Sequence, residues 1–247
     1  MSSMLPLLAL LPLPLEIKYS ARSRSIRLKL LDHKIIVSGP PHVSEAKLFA
    51  FVEEKKSWIN AHVTQKKQRD LHYPLAWPQN LEPLVSLPFL GKQLVFGFSQ
   101  VSEKPLLFFE ETQILLTHFM PFNPKLAADA LIQGYLKQAT DLVNQFCAHY
   151  CPQIGLWPSG LKVKYQKSLY GSLGSNNTLH LNWLLITAPL FVFEYVVVHE
   201  LSHLKHRNHG PRFWAQVAKL MPNYTEAENW LRQWGPCFKL PPFMQET

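Results

Sequence analysis

Three cysteines in 247 residues are too few to staple a fold. They cannot build a disulfide framework, and their scarcity fits a reducing, cytoplasmic setting. Cys147 and Cys151 form a Cys-x-x-x-Cys pair with no second pair nearby, so they read as small buried hydrophobes rather than metal ligands. Long apolar runs are missing as well. Residues 5–15 are leucine-rich but interrupted by Pro6, Pro12 and Pro14, and the run is too short to span a bilayer. It also lacks the basic start and the small-x-small cleavage site of a secretory signal. Residues 1–15 therefore read as an apolar leader or an edge segment packed on the body, and no membrane partner is expected. There is no internal repeat and no low-complexity tract. With 47% apolar and 17% charged residues the chain can bury a substantial core and is not disordered.

What charge there is falls unevenly. Residues 16–69 hold 12 Lys and Arg against 5 Asp and Glu, a balance of +7, whereas residues 70–247 hold 13 against 12. Arg22, Arg24, Arg27 and Lys29 recur every second or third residue, so several share one face of a strand. Such a face could meet an anionic partner, nucleic acid included. No aromatic residue interleaves the basic run to stack a base, and cations on an edge strand also prevent edge-to-edge association. A solvated sheet face is the preferred reading, and nucleic acid is not the favoured partner.

Against that background one cluster stands out: His199-Glu200-Leu201-Ser202-His203, followed by His209. Two histidines four apart on a helix share a face, with Cβ atoms about 5–6 Å apart, which suits two imidazoles on one zinc ion. The glutamate beside the first histidine sits where it can take a proton from a metal-activated water. Residue frequencies give roughly 0.03 chance matches to such a motif in a chain like this, and about 0.001 once the third histidine is required. A merely solvated helix is set aside on those odds.

The surrounding residues have the grammar to present the motif. Pro189 suits a first helical turn, and residues 190–198 are too apolar for a surface helix, so a buried helix over about 189–206 is predicted. Arg207-Asn208-His209-Gly210-Pro211 reads as a turn in which Asn and Gly tolerate left-handed backbone. Pro211 then opens a helix over 212–221 that stops before Pro222. His209 falls on the bend, from which the chain can fold back to complete a three-histidine shell. Three protein ligands leave the open position that a catalytic zinc needs. Two rivals for the third place are His206, which more naturally belongs to the last helical turn, and a glutamate from a following helix, Glu226 or Glu228.

The stretch Tyr195-Val196-Val197-Val198-His199-Glu200-Leu201-Ser202-His203-Leu204, continuing Asn208-His209-Gly210-Pro211-Arg212-Phe213-Trp214, resembles the YgjP-like metallohydrolases, relatives of the SprT-type zinc metallopeptidases. Tyr170-Gly171-Ser172-Leu173 and Leu179-His180-Leu181-Asn182-Trp183 are similar to that family's Trp-Gly-Ser-Cys loop and Leu-Asn-Trp strand. Met221-Pro222-Asn223-Tyr224, Trp230-Leu231, the Arg22-to-Leu28 run and Lys56-Ser57-Trp58-Ile59 also match family positions. Two residues depart from the pattern: Leu173 stands where a cysteine is expected and Tyr170 where a tryptophan is expected. The resemblance implies a zincin-like fold, Zn²⁺ held by His199, His203 and His209, and Glu200 as general base in hydrolysis of a peptide or protein substrate. It favours His209 over both rivals. The other function class is a non-catalytic metal-binding or nucleic-acid-associated protein on the same scaffold.

The fold class expected is α+β: a zincin-like metallopeptidase domain with a β-rich N-terminal region. Residues 16–123 form that region, with strands at 25–30 and 34–38, a turn at Asp32-His33, one helix and further strands over 84–117. The helix starts near Ser44 and Glu45 and turns Leu48, Phe49, Val52, Trp58 and Ile59 inward. Residues 124–247 form the catalytic region, opening with a helix over 124–150. Ligand histidines need acceptors for their other ring N–H, and Glu194, Glu226 and Glu228 are candidates. An extended substrate is expected to add to the edge of a strand over 178–182, touching Thr178, His180 and Asn182. Tyr170, Asn182 and Tyr224 are candidate oxyanion donors.

Overall fold

The computed structural model describes residues 11–31, 33–101, 105–118 and 121–244. Residues 1–10 of the expected leader and Asp32 of the expected turn lie outside this set. The described chain is mixed α and β, with six α-helices and three sheets. It divides between His72 and Tyr73 into two compact units.

In the first unit, strands β1 (Leu15–Tyr19), β2 (Arg27–Leu30) and β3 (Ile35–Gly39) form a sheet in the order β1-β3-β2. β1 runs parallel to β3, and β2 runs antiparallel to it. The sequence assigns residues 1–15 to the leader and marks no strand at 15–19. Leu15 and Ile17 nevertheless alternate with Glu16 and Lys18, and they pack with Leu11 and Leu13 on the core of Ile35, Val37, Leu48 and Val52. Where one helix is expected there are two, α1 (Glu45–Glu54) and α2 (Lys56–His72), broken at Lys55. The break leaves Ile59 and Val63 in the core and Trp58 outside it, 45% exposed. On the edge strand β2, Arg27 and Lys29 are exposed while Leu28 and Leu30 turn inward. This is the alternation of a half-buried antiparallel strand.

The second unit contains the remaining sheets and helices around one core. Strands β4 (Ser86–Phe89), β5 (Lys92–Ser99), β6 (Leu106–Phe109) and β7 (Gln113–Thr117) are ordered β4-β5-β7-β6. Sequence order groups these strands with the N-terminal region. Their inward residues Leu87, Leu94, Phe96, Ile114 and Leu116 instead join the same core cluster as the C-terminal helices. The β4–β5 hairpin turns through Leu90 and Gly91, at φ 45° and 80°. That left-handed pair matches the twist of a two-residue hairpin loop. The loop docks by its backbone: Leu90 N–H donates to Ile186 O and Gly91 N–H to Thr187 O. A Cβ on Gly91 would fall 2.8 Å from Pro189 Cα. The hairpin tip thus braces the entry to the helix that carries His199.

Helix α3 (Pro124–Ile154) starts at Asn123, whose side chain accepts from Leu126 N–H, with Pro124 in the first turn. It runs past the expected end at 150, with Pro152 inside its last turn. Gly155, at φ 78°, then closes the helix with its N–H on Cys151 O. Cys147 and Cys151 lie buried in the core. Strands β8 (Gly160–Lys164), β9 (Gly171–Leu173) and β10 (Thr178–Asn182) form a sheet ordered β8-β10-β9. A 3-10 turn over Trp183–Thr187 then leads into α4 (Leu190–Ser202), followed by α5 (Pro211–Leu220) and α6 (Tyr224–Trp234). Val192, Phe193, Val196, Val197, Val198 and Leu201 of α4 are all buried. Each such side chain contributes about 1.5–3 kcal/mol of burial, so α4 is anchored from nearly every side. Among the described residues, no helix is long and apolar enough to cross a membrane.

Candidate metal centre and active site

Helix α4 is four residues shorter at its end than its apolar pattern suggests. Ser202 is its last residue, and its hydroxyl donates back to Val198 O. Beyond it the ladder tightens: His203, Leu204 and Lys205 each donate N–H to the carbonyl three residues earlier. The tightened turn carries His206 O over the ring of His203, where Nδ1 lies 2.9 Å away. A carbonyl only accepts, so His203 Nδ1 carries the proton and its Nε2 is left with a free lone pair.

His199 is treated in a parallel way by a side chain. The Tyr195 hydroxyl lies 3.3 Å from His199 Nδ1 and donates to Glu228 Oε1 at 3.2 Å. With its proton on Glu228, Tyr195 can only accept from Nδ1–H, which again leaves Nε2 unprotonated. Burial, and then the nearby charge of Glu228, raise the Tyr195 pKa above its ordinary value, so the hydroxyl stays protonated.

His209 is brought back toward the helix by the following turn. Its ring meets Phe213 and Trp214 at centroid distances of 4.7 and 5.9 Å, and the same two rings also contact His199. No residue from Arg207 to Gly210 has positive φ, and Gly210 is extended at φ −79°, ψ −179°. The expected left-handed turn is therefore absent, and packing on the first turn of α5 places His209 instead. His209 Nε2 lies 3.0 Å from His199 Nε2, and ligand atoms of His199, His203 and His209 all lie within 4.8 Å of one another. Two nitrogens held tetrahedrally by one zinc ion would sit about 3.3 Å apart. The three imidazoles fit such an ion, and they are the one cluster of this kind among the described residues.

Burial lowers the His199 pKa to about 4, helped by the neighbouring His203 and His209. Burial likewise lowers that of His203, though the His206 carbonyl opposes it. Both rings are thus held in the neutral form that a metal requires. Glu200 follows His199 and is buried at 8% exposure. Burial raises its carboxyl to about 7, against the backbone hydrogen bond from Leu173.

That hydrogen bond gives the 170–173 loop its role. In the ladder with β10, Tyr170 O accepts from Asn182 N–H and Gly174 N–H donates to Thr178 O. By alternation, the Leu173 N–H points away from β10, toward Glu200. The contact is made by backbone, so leucine in place of the family's cysteine leaves it available. Gly171 lies so close that a Cβ there would come within 2.8 Å of Glu200 Cγ. Tyr170, in place of tryptophan, packs edge-on to Phe238 at 5.8 Å, with its hydroxyl over Gly235. Tyr170, Gly171, Glu200, Glu228 and Leu231 help line a cavity of about 350 Å³ beside His199.

The family profile of the YgjP-like metallopeptidase domain matches residues 24–234. The chain belongs to the YgjP-like family. Among solved structures, two metallopeptidase zymogens are similar to parts of this YgjP-like chain. Abylysin of Pyrococcus abyssi shares 21% identity at TM-score 0.35, over 40% of this chain and 98% of its own. Jannalysin of Methanocaldococcus jannaschii shares 24% at TM-score 0.33, over 38% and 94%. No curated protein matches the sequence.

The remaining candidates of this YgjP-like chain are dispersed. β10 cannot accept an added strand, because it is the central strand, paired with β8 on one side and β9 on the other. Thr178 is buried, with its hydroxyl 3.4 Å from Ser159 Oγ. His180 pairs with Ser172 of β9. Asn182 is consumed by local backbone, donating to Gln166 O and Leu169 O and accepting from Leu184 N–H, so it is not an oxyanion donor. Tyr224 stacks between Tyr195 and Trp214. Glu194 accepts from Tyr150 and ties α4 to α3. Neither His206 nor Glu226 joins the histidine cluster. Sequence reasoning missed Tyr195, although its position four residues before His199 on the same helix signals a shared face.

Proposed function

We propose that this protein is a zinc-dependent peptidase with a zincin-like active site. The observation that carries this reading is the convergence of three imidazoles from α4 and the following turn, beside a buried carboxylate of raised pKa. An all-imidazole donor set suits zinc among the divalent ions. His199, His203 and His209 would hold the zinc, which would supply a Lewis acid to polarise the scissile carbonyl and to make water nucleophilic near neutral pH. Glu200 does the proton work. With its pKa near 7 it accepts a proton from the attacking water and returns it to the leaving amine. The Leu173 N–H holds one side of that carboxylate in place.

Of the two edge strands of this sheet, β8 and β9, the one beside Glu200 is β9, and its free edge suits an extended substrate. Main-chain groups of Gly171 on that edge lie beside Glu200, and an added strand there would bring a peptide bond past the base. The test is a digest of an unfolded-protein substrate by zinc-loaded enzyme, with Glu200→Gln as control. Hydrolysis lost in the variant at unchanged zinc content supports the reading. Equal residual hydrolysis, or none in the parent enzyme, supports a non-catalytic metal protein.

A further inference from the structure

We propose that Glu228 is a remote positioning residue of the metal centre, acting on His199 through the Tyr195 hydroxyl. The proposal rests on reading the three histidines as ligands, and it goes beyond that reading by assigning roles to two residues that touch no metal. Each of the two ring nitrogens that needs a partner has found one of a different kind. His203 Nδ1 uses a backbone carbonyl of its own turn, 2.9 Å away, which no substitution removes. His199 Nδ1 relies on a side chain one helical turn earlier, which in turn is held from another helix, 33 residues on.

The chain Glu228 Oε1···Tyr195 Oη···His199 Nδ1 has a direction. A carboxylate can only accept, so the single hydroxyl proton points to α6 and the hydroxyl lone pair faces the imidazole. A hydroxyl polarised by a charged acceptor is a stronger acceptor itself, because hydrogen bonds in series reinforce one another. Remove the carboxylate and the hydroxyl proton is free to turn toward Nδ1. That would favour the tautomer with its proton on Nε2, the nitrogen needed for the metal. Glu228 is half-buried, and among the described residues it forms no ion pair that would compete for its charge. Tyr195 is 5% exposed, so water does not readily replace either partner. Tyr224 stacks on the Tyr195 ring at 6.2 Å and fixes its plane.

Glu228 also lines the cavity beside His199, so an activity assay would confuse positioning with substrate contact. Zinc affinity in the absence of substrate separates the two. Zinc dissociation constants would be measured on the full chain by competition with a chromophoric chelator, for the parent protein, Tyr195→Phe, Glu228→Leu, the double variant, and Glu226→Gln. Glu226 is exposed on the same helix and outside the cluster. Glu228→Leu and Tyr195→Phe should each weaken zinc about 10–100-fold, and Glu226→Gln should match the parent. The double variant should be no weaker than Tyr195→Phe alone, since both act through one hydrogen bond.

Parental affinity in Glu228→Leu would overturn the proposal while leaving the three ligands standing. Additive losses in the double variant would also overturn it, because Glu228 would then act by another route. Thermal unfolding of the metal-free variants completes the test. A fall in melting temperature that accounts for the affinity loss marks a packing role and refutes positioning, whereas an unchanged temperature with weakened zinc supports it. Retention of zinc by His199→Ala would signal failure of the underlying ligand assignment instead.

Discussion

Adding one methyl group at Gly171 should disable the base without touching the metal. A Cβ at that position would stand 2.7 Å from Leu181 Cδ2, 2.8 Å from Glu200 Cγ and 3.2 Å from Glu200 Oε1. Carbon atoms prefer about 3.5–4.0 Å, so the Glu200 stem must retreat by about 0.7–1.2 Å. Neither neighbour can yield cheaply, since Leu181 is fully buried and Glu200 nearly so. Overpacking of this kind costs about 1–3 kcal/mol. For a chain of this size that is a fall of about 2–12 °C in melting temperature. A displacement near 1 Å at a catalytic group costs about 10²-fold in rate. Gly171→Ala should therefore bind zinc like the parent and cleave about 100-fold more slowly. Gly210→Ala is the matched control: its Cβ meets nothing within 4 Å and its φ of −79° suits alanine, although it adjoins His209. Metal content by atomic absorption, turnover of an unfolded-protein substrate and differential scanning calorimetry would be measured on all three proteins. Parental turnover in Gly171→Ala would refute the reasoning, as would loss of its zinc.

Glu200→Gln should keep the metal and lose about 10²–10⁴-fold in turnover, read by zinc content and peptide hydrolysis on one preparation. His209→Ala should abolish zinc binding while His206→Ala retains it, because His206 contributes its backbone carbonyl rather than its ring; chelator competition on both variants checks this. Reversing Arg24 and Arg27 to Glu should change neither hydrolysis nor retention on DNA, and a salt-dependent DNA affinity that falls in this variant would refute the solvated-face reading. In the metal-free protein, the folded pKa near 4 of His199 makes stability rise with pH up to its ordinary 6.5, while the raised pKa of Glu200 makes stability fall between 4.5 and about 7, so the two slopes oppose. Glu200→Gln leaves the histidine slope alone, and its urea-unfolding stability should climb between about pH 4 and 6.5 by up to about 1.4 kcal/mol per unit; a flat profile would contradict the burial argument.

The helices of this protein are legible where local chemistry settles the matter. Asn123-Pro124 starts α3 and Met221-Pro222 ends α5 as their caps dictate. Boundaries drift where tertiary packing decides. The run after Ser202 keeps helical composition, yet the backbone tightens so that His206 O can reach His203. One amphipathic stretch becomes α1 and α2 because Ile59 and Val63, not Trp58, fill the core of the first unit. Grouping β4–β7 with the N-terminal strands fails for a related reason. Turn signals mark where strands end, but only the burial of Phe96, Ile114 and Leu116 in one core with residues of α3 and α4 says which core they serve.

At the site, the spacing of His199 and His203 identifies two residues that share one face, and the third histidine lies with them. Helical periodicity carries that information over four residues and no further. The partners that fix these side chains lie outside its reach: a carbonyl exposed by a tightened turn for His203, a backbone N–H across a sheet edge for Glu200, and Glu228 from another helix behind Tyr195. The misplacement of the substrate strand has the same origin. Thr178, His180 and Asn182 alternate as strand residues should, but alternation does not say whether a strand lies at an edge or in the middle of its sheet. The sheet has two edge strands, β8 and β9, and the one beside Glu200 is β9, whose Gly171 and Leu173 offer no reactive side chain. A residue chosen for its backbone and for the absence of a Cβ leaves little mark in a search for acids, bases and ligands, yet it governs where the acid among them can stand.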